Sequence, residues 1–431
     1  MPVPSLRLAV TSGPDGGASC TSDAETVRVG TAAGNDLELT DPTVSRYHLE
    51  LAAVEDGARV VDCGSTNGTW LGAARIERGL VPLGAELRIG QSSLRIHGGE
   101  PGVVQLHPEA SFGELVGQSA VMRRLMSRLA RIAESDAAVL LVGESGTGKE
   151  LTAEALHAAG ARSGGPFVAI DCGALSPSLV ASELFGHERG AFTGADRLHV
   201  GAFERARGGT LLLDEIGELP VELQAHLLGA LERQRIRRVG GATDVTIDAR
   251  VIAATNRDLR AEVNVGRFRL DLYYRLAVVT VTIPPLREHP EDVALLVEHF
   301  LRESGYEGPV GAIFPPVLMK RLEAHAWPGN VRELRNLVAA MLVTGDVPTL
   351  AGKAASVAPP SLSASMRPPS GLALELDLPY KEARDVVQER FEAAYLQRLL
   401  ARTRGNISRA AREAEMARSH LMDLMRKHGL R

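Results

Sequence analysis

The run Val139-Leu140-Leu141-Val142 leads straight into Gly143-Glu144-Ser145-Gly146-Thr147-Gly148-Lys149-Glu150, and no other feature narrows the fold of this chain so far. Four consecutive large apolar residues have the length and texture of a strand buried on both faces. Glycines at 143, 146 and 148 let the backbone turn its N–H groups inward around phosphates at the start of a helix, while Lys149 reaches toward the β and γ phosphates. A strand, a phosphate loop and a helix in that order imply an α/β nucleotide-binding layer. Glu150 stands where a magnesium-binding Ser or Thr is usual. Taken alone, the segment also fits a glycine-rich turn of purely structural purpose.

Further segments of the same kind follow. Gly208-Gly209-Thr210-Leu211-Leu212-Leu213-Asp214-Glu215 reads as a buried strand ending in two carboxylates, at the sheet edge where ligands bind. Asp214 is then placed to organise Mg2+, and Glu215 to orient and polarise the attacking water. A solvated acidic turn after a strand has the same pattern. Val251-Ile252-Ala253-Ala254 ends in Thr255-Asn256, which puts an amide near the γ-phosphate as a sensor, or simply a turn former at a strand end. Phe167–Ile170 supplies another strand, and Met122, Leu125, Leu129 and Ile132 have helical spacing. After Pro284-Pro285 the pattern turns helical to about Val343.

The flanks differ in texture. Short alternating segments at Val27–Val29, Leu37–Leu39, His48–Leu51 and Arg59–Val61, punctuated by Gly, Asn, Asp and Pro, predict a β-sandwich over 6–97. Gly98-Gly99-Glu100-Pro101-Gly102 signals a linker, and residues 344–378, rich in Ala, Ser and Pro, a flexible tether. No apolar run approaches the ~20 residues that span a bilayer. Cys20, Cys63 and Cys172 are odd in number and lack CxxC spacing, against a disulfide framework or zinc site. A cytoplasmic protein is expected. The net charge of -5 hides a basic tail: residues 401–431 carry eight Lys or Arg against three acidic residues. A local excess of that kind suits nucleic-acid phosphates.

The central motifs resemble the sigma-54-interacting AAA+ ATPases over about residues 111–342. The phosphate loop ending in Lys149-Glu150 is similar to that family's own variant. Leu184-Phe185-Gly186-His187-Glu188-Arg189-Gly190-Ala191-Phe192-Thr193-Gly194-Ala195 resembles the loop that the family presents to sigma-54. Its glycines flank an apolar tip that nucleotide state can raise or lower. Phe268–Leu276 resembles the arginine-finger segment, which implies that Arg269 and Arg275 act on a neighbouring subunit's nucleotide in a hexameric or heptameric ring. Trp327-Pro328-Gly329-Asn330-Val331-Arg332 resembles the second sensor, with Arg332 on the phosphates in cis. Asp171 stands where the family commonly has an Asn that restrains the catalytic glutamate; near Glu215 it would repel it or share a proton.

Gly30, Asp41–His48 and Gly64–Thr69 resemble the forkhead-associated (FHA) domain, a β-sandwich that reads phosphothreonine through its end loops. The resemblance implies Ser45, Arg46 and Thr66 on the phosphate, Asn67 on the partner's main chain and His48 in the framework. Thr31 follows Gly30 where phosphothreonine readers usually carry Arg, and Arg28 is the cation nearest in sequence that could compensate. A phosphate-independent or intramolecular docking role is the alternative. The last three helical segments resemble the Fis-type helix-turn-helix, implying Arg418 and His420 as base readers and Arg426 and Lys427 on DNA phosphates; Glu415 replaces the usual turn glycine, and Met422 and Asp423 occupy positions often basic.

The expected organisation is therefore an all-β FHA sandwich over 6–97, a linker over 98–110, an α/β P-loop AAA+ subdomain over 111–284, a helical lid over 285–343, a tether over 344–378 and an all-α DNA-binding domain over 379–431. The expected activity is ATP hydrolysis with Mg2+, coupled to opening of promoter complexes of sigma-54 RNA polymerase from upstream DNA. The expected regulator is a phosphothreonine protein or Ser/Thr kinase. Rival readings are a DNA-bound regulator without sigma-54 activity and a different AAA+ remodelling ATPase.

Overall fold

Alternation of apolar and polar residues builds the N-terminal layer. In Leu6–Ser12, Leu6, Leu8 and Val10 point inward between exposed or half-buried neighbours, and in Thr26–Gly30 Val27 and Val29 are buried on either side of half-buried Arg28. The computed structural model describes residues 2–345 except 4, 23–25, 55–56, 100–101, 104, 175–176 and 193, and beyond them Ile407, Met422 and Met425. One sheet of the sandwich runs in the order Arg78–Pro82, Gly57–Asp62, Leu49–Val54, Thr26–Gly30, Leu37–Glu38. The other, of six strands, is centred on Ser92–Gly98 and Glu86–Ile89, with Leu6–Ser12 beside Ser92–Gly98. Val29, Leu49, Leu51 and Val60 of the first meet Leu8, Leu87 and Leu94 of the second in one core. Each such side chain stabilises the fold by about 1.5–3 kcal/mol.

Within the stretch read as a linker, Gly102–Val103 and His107 have regular partners. Gly102–Val103 pairs antiparallel with Pro2–Val3. The His107 backbone N–H donates to the Arg123 carbonyl at 3.0 Å and its carbonyl accepts from Arg123 Nε at 2.8 Å. Gly and Pro leave backbone groups without regular partners, and here a neighbouring strand and helix Ala120–Ala133 supply them.

The central sheet is parallel, in the order Phe167–Asp171, Thr210–Asp214, Arg250–Thr255, Val139–Val142, Val279–Thr282. Leu211 and Leu213 face one apolar cluster and Leu212 the other, so both faces of the sheet are covered by helices. This is the α/β layer expected. Because Val139–Val142 lies between Arg250–Thr255 and Val279–Thr282, the chain reverses direction of winding there. A crevice opens at the C-terminal ends of the strands at such a switch point.

The helical lid packs Val297, Phe314, Leu322, Trp327 and Val338 into a core of their own. Trp327 is fully buried and its indole N–H donates to the Leu322 carbonyl at 2.9 Å. Asp292, also fully buried, ties the lid to the α/β layer by accepting from Gln118 N–H, Ser119 N–H and the Ser119 hydroxyl at 2.7, 2.8 and 2.6 Å. Burial alone would raise its pKa, but hydrogen bonds from His289 and Ser119 outweigh that and hold the carboxyl below its ordinary range.

The chain divides into two units, 1–354 and 355–431. The expected DNA-binding residues Arg418, His420, Arg426 and Lys427 lie outside the described residues, as does nearly all of the tether. Among the described residues no helix is long and apolar enough to cross a membrane.

Candidate nucleotide-binding site and its flanking loops

Left-handed glycines shape the phosphate loop. Gly146 has φ +80° and Gly148 +94°, and a Cβ on Gly146 would sit 2.4 Å from the Gly329 carbonyl of the lid. Helix Lys149–Ala158 starts directly from this turn, with Glu150 exposed in its first turn, where the helix dipole favours a carboxylate. Lys149 is 7% exposed; its ammonium donates to the Gly143 carbonyl at 3.1 Å and lies 3.4 Å from Glu215 Oε1. Thr147 closes the loop by donating to the Glu144 carbonyl at 2.9 Å.

Asp214 ends its strand beside Asp171 of the neighbouring one. Burial raises the Asp214 pKa, against the pull of the Glu215 N–H, which donates to its Oδ1 at 2.9 Å. Glu215 itself is left-handed, φ 45° and ψ 46°, an unfavourable backbone for a side chain of this kind. Its Oε2 accepts from the Asn256 backbone N–H at 3.2 Å. Asn256 is thus brought to Glu215 through its backbone N–H. Asp171 Oδ1 accepts from Gly173 and Ala174 N–H at 2.8 and 3.1 Å, and its partner in register is Asp214. A strand-end Asp is well placed to cap the following turn, and that turn takes its charge.

The lid closes over the loop through two residues. Arg332 donates to the Ser145 hydroxyl at 2.9 Å, and Asn330 Nδ2 donates to the Ser145 carbonyl and to Glu144 at 3.1 and 3.2 Å. Glu144 is further gripped by Arg287 in a two-pronged pair at 2.6 and 2.8 Å, which holds its carboxyl below the usual range. Arg287 and the bridging role of Asn330 were not legible in the sequence; only the position of Asn330 inside the motif before Arg332 pointed at it.

Arg269 and Arg275 bracket helix Leu270–Leu276. Arg269 is exposed and pairs with Asp271, and Arg275 donates to the Leu231 carbonyl at 3.0 Å while lining a cavity of ≈ 550 Å³ with Asp136, Arg162 and Asp248. Neither is brought to the phosphate loop of its own chain by these contacts.

The loop around 190–195 is a tight turn: Gly190 N–H donates to Ala195 O at 2.8 Å and Ala195 N–H to Phe192 O at 3.0 Å. Gly190 and Gly194 are left-handed, with φ +82° and +98°. Phe192 is 38% exposed and rests edge-on against His187, ring centroids 4.9 Å apart. Thr193 lies outside the described residues. At the loop base Arg238 donates to Glu204 at 2.7 and 2.8 Å and to Glu188 at 3.0 Å, an anchor that no sequence pattern announced. Arg238 in turn holds the Glu204 carboxyl below its ordinary range.

At the end of the sandwich Ser45, Arg46, Thr66 and Asn67 come together. Ser45 Oγ accepts from Thr66 N–H at 3.0 Å, and Asn67 Nδ2 donates to Thr43 O at 2.7 Å. Arg46, Thr66 and Asn67 are exposed. Buried His48 braces both loops, accepting from Ser45 N–H at 3.1 Å and lying 3.2 Å from Gly68 O. A Cβ on Gly30 would fall 2.1 Å from the Arg46 carbonyl, which requires glycine there. Arg28 pairs in register with Glu50 of the neighbouring strand, and its backbone N–H donates to Asp36 Oδ2 at 2.8 Å.

A family model for the Sigma-54 interaction domain matches residues 115–282, one for the AAA+ ATPase lid domain residues 287–354, and one described as inner membrane component of T3SS, cytoplasmic domain, residues 9–98. Regulatory protein AtoC of Escherichia coli (strain K12) is 41% identical over 347 residues, covering 79% of this chain and 74% of AtoC. The DNA-binding transcriptional regulator NtrC of Azospirillum brasilense is 53% identical over 225 residues, 52% of this chain and 47% of NtrC, so the chain spans about half of that relative. The crystal structure of NtrX from Brucella abortus in complex with ATP aligns with TM-score 0.51 and 37% identity, over 75% of this chain and 71% of that one. A phosphate loop facing a strand-end carboxylate pair, under a lid that reaches back to it, in a chain with these relatives, belongs to the sigma-54-interacting AAA+ ATPases.

Proposed function

We propose that this chain is an ATP-driven activator of sigma-54 RNA polymerase. The observation that carries the reading is the convergence of Lys149 and Asn256 on Glu215, with Arg332 reaching from the lid to Ser145. ATP binds with its phosphates on the N–H groups of 143–149 and on Lys149. Mg2+ fits beside Asp214: a carboxylate whose pKa burial raises, adjacent to Asp171 and Glu215, gains most from a divalent cation. Asp214 would hold that cation, which would supply neutralisation of the charge on the transferring phosphoryl group. Glu215 orients and polarises the attacking water, and Asn256 senses the γ-phosphate.

Arg269 and Arg275 complete the site of an adjacent subunit, in a ring of six or seven copies. Their partners within the chain, Asp271 and the Leu231 carbonyl, support this reading because they leave both guanidinium groups off their own phosphate loop. The turn 190–195 carries the output: Phe192, with Thr193 beside it, contacts sigma-54. The tail, through Arg418, His420, Arg426 and Lys427, holds upstream DNA, and the protein works in the cytoplasm.

The N-terminal sandwich is read as FHA-like, with Ser45, Arg46, Thr66 and Asn67 meeting a phosphothreonine protein such as a Ser/Thr kinase or its target. Support comes from the joined loops around Ser45 and from the exposure of the other three residues.

The test is open-complex formation at a sigma-54 promoter by purified chain with ATP. Glu215→Gln and Phe192→Ala should each abolish it, the first with loss of hydrolysis and the second without. Open complexes formed by either variant would overturn the mechanism.

A further inference from the structure

Helix Val221–Arg233 buries Leu223, Gln224, Leu227, Gly229 and Ala230, and of these Gln224 alone carries a polar side chain. It is 1% exposed. A carboxamide taken that far out of water must find partners for both of its N–H groups and for its oxygen. All three are met. Nε2 donates to the Leu219 and Arg267 carbonyls, both at 3.0 Å, and Oε1 accepts from the Arg269 N–H at 2.9 Å. Leu227, one turn further on, is buried with no such requirement, so the use of an amide at 224 lies in the segments it ties together.

The first segment is the turn that follows Glu215. Glu218 N–H donates to the Glu215 carbonyl at 2.9 Å and Leu219 N–H to the Ile216 carbonyl at 3.1 Å, so residues 215–219 form one hydrogen-bonded unit, and its last carbonyl is the one that Gln224 holds. The second segment is the backbone around Phe268, which is 3% exposed and packs in the apolar cluster of the ATPase layer. Gln224 grips this backbone on both sides of that ring, at Arg267 and at Arg269. Arg269 caps helix Leu270–Leu276 and forms a two-pronged pair with Asp271 at 3.0 and 2.6 Å. Its root is thus held by Gln224 and its head by Asp271, while the side chain faces solvent. One buried amide spans from the Glu215 turn to the origin of Arg269.

We propose that Gln224 is a positioning residue for hydrolysis that serves two adjacent sites at once: it sets the turn behind Glu215, which acts on the nucleotide of its own chain, and the backbone of Arg269, which acts on the nucleotide of the next. Neither group is touched at its reacting atoms. Gln224 acts through the main chain on either side, where a displacement of about 1 Å is enough to cost a large part of the rate. Because the same amide holds both segments, a shift of the Glu215 turn with nucleotide state moves the root of Arg269, and the neighbouring site feels it. The inference rests on the reading that Glu215 works in cis and Arg269 in trans.

The experiment mixes full-length chains that are inactive alone. Glu215→Gln lacks the cis group and Arg269→Ala the trans group, so an equal mixture regains hydrolysis where an Arg269→Ala chain supplies Glu215 and its neighbour supplies Arg269. Absence of that regain removes the cis and trans assignment itself and is read first. Gln224→Met, similar in volume but without the amide, is then added to one partner at a time. In the Glu215→Gln chain it tests only Arg269, and in the Arg269→Ala chain only Glu215. The expected result is a fall in the regained kcat of about tenfold or more in each placement, with affinity for a fluorescent ATP analogue unchanged in every chain. A fall in one placement only would overturn the shared role, and full regain in both would overturn any role. Gln224→Leu, apolar like Leu227, replaces Gln224→Met if that chain fails to bind the analogue. Loss of binding in both variants would make Gln224 a residue of the fold alone and would equally overturn the proposal.

Discussion

Lys149 Nζ and Glu215 Oε1 lie 3.4 Å apart across the mouth of the phosphate loop, the ammonium buried and the carboxylate partly open. The pair holds both groups in place before nucleotide arrives. It also defines what each variant will lose, because the two side chains answer to different parts of the reaction.

Lys149→Ala should abolish tight ATP binding, whereas Glu215→Gln should keep it and slow hydrolysis by about 10²–10⁴-fold, the usual contribution of a positioned acid–base group. Titration with a fluorescent ATP analogue separates the two, and steady-state phosphate release gives the rate.

Arg238→Ala removes three hydrogen bonds to Glu204 and Glu188 at the base of the 190–195 turn. Bonds to charged partners are worth about 1.5–3 kcal/mol each when intact, less here where Arg238 is partly exposed. The expected outcome is a small drop in Tm and loss of co-sedimentation with sigma-54 in the presence of a transition-state analogue.

Asp292 offers a pH test. Its folded pKa is depressed, so its contribution is present above the unfolded carboxyl value of about 3.9 and is lost as pH falls through the folded value. Asp292→Asn should therefore destabilise the chain by about 3 kcal/mol near neutrality, since a buried network loses its charged member. The gap between wild type and variant, read from urea unfolding, should stay constant from pH 7 to about 5 and narrow below about 4.

Gly30→Ala places a Cβ 2.1 Å from the Arg46 carbonyl, a backbone atom that cannot swing aside. The Ser45–Arg46 loop must shift, and with it the hydrogen bond from Thr66 N–H to Ser45 Oγ. Phosphothreonine-peptide binding, followed by calorimetry, should be lost, and the sandwich should be destabilised by about 2 kcal/mol or more.

The catalytic layer was legible from local patterns. Spaced glycines before Lys149, apolar strands of four or five residues and carboxylates at a strand end each carry their meaning within a dozen positions, because backbone reach and side-chain period act over that range. The sandwich was legible too, since alternation decides which side of a strand is buried, as at Leu6, Leu8 and Val10. The sequence places Arg28 two residues before Gly30, and the register that sets it opposite Glu50 was not legible there. Asp171 was placed in the right neighbourhood, but the turn it caps decides where its charge goes.

What tertiary structure alone decided is the meeting of distant segments. Glu50 and Arg260 are separated by 210 positions, and no periodicity or composition links them. Arg287 finds Glu144 in the same way, and Asn264 finds the Tyr47 and Cys63 carbonyls. Local sequence sets which groups are buried, charged or bent. Only the packing of one element on another sets which of those groups must pair, because a buried charge or carbonyl takes whatever partner the fold carries to it.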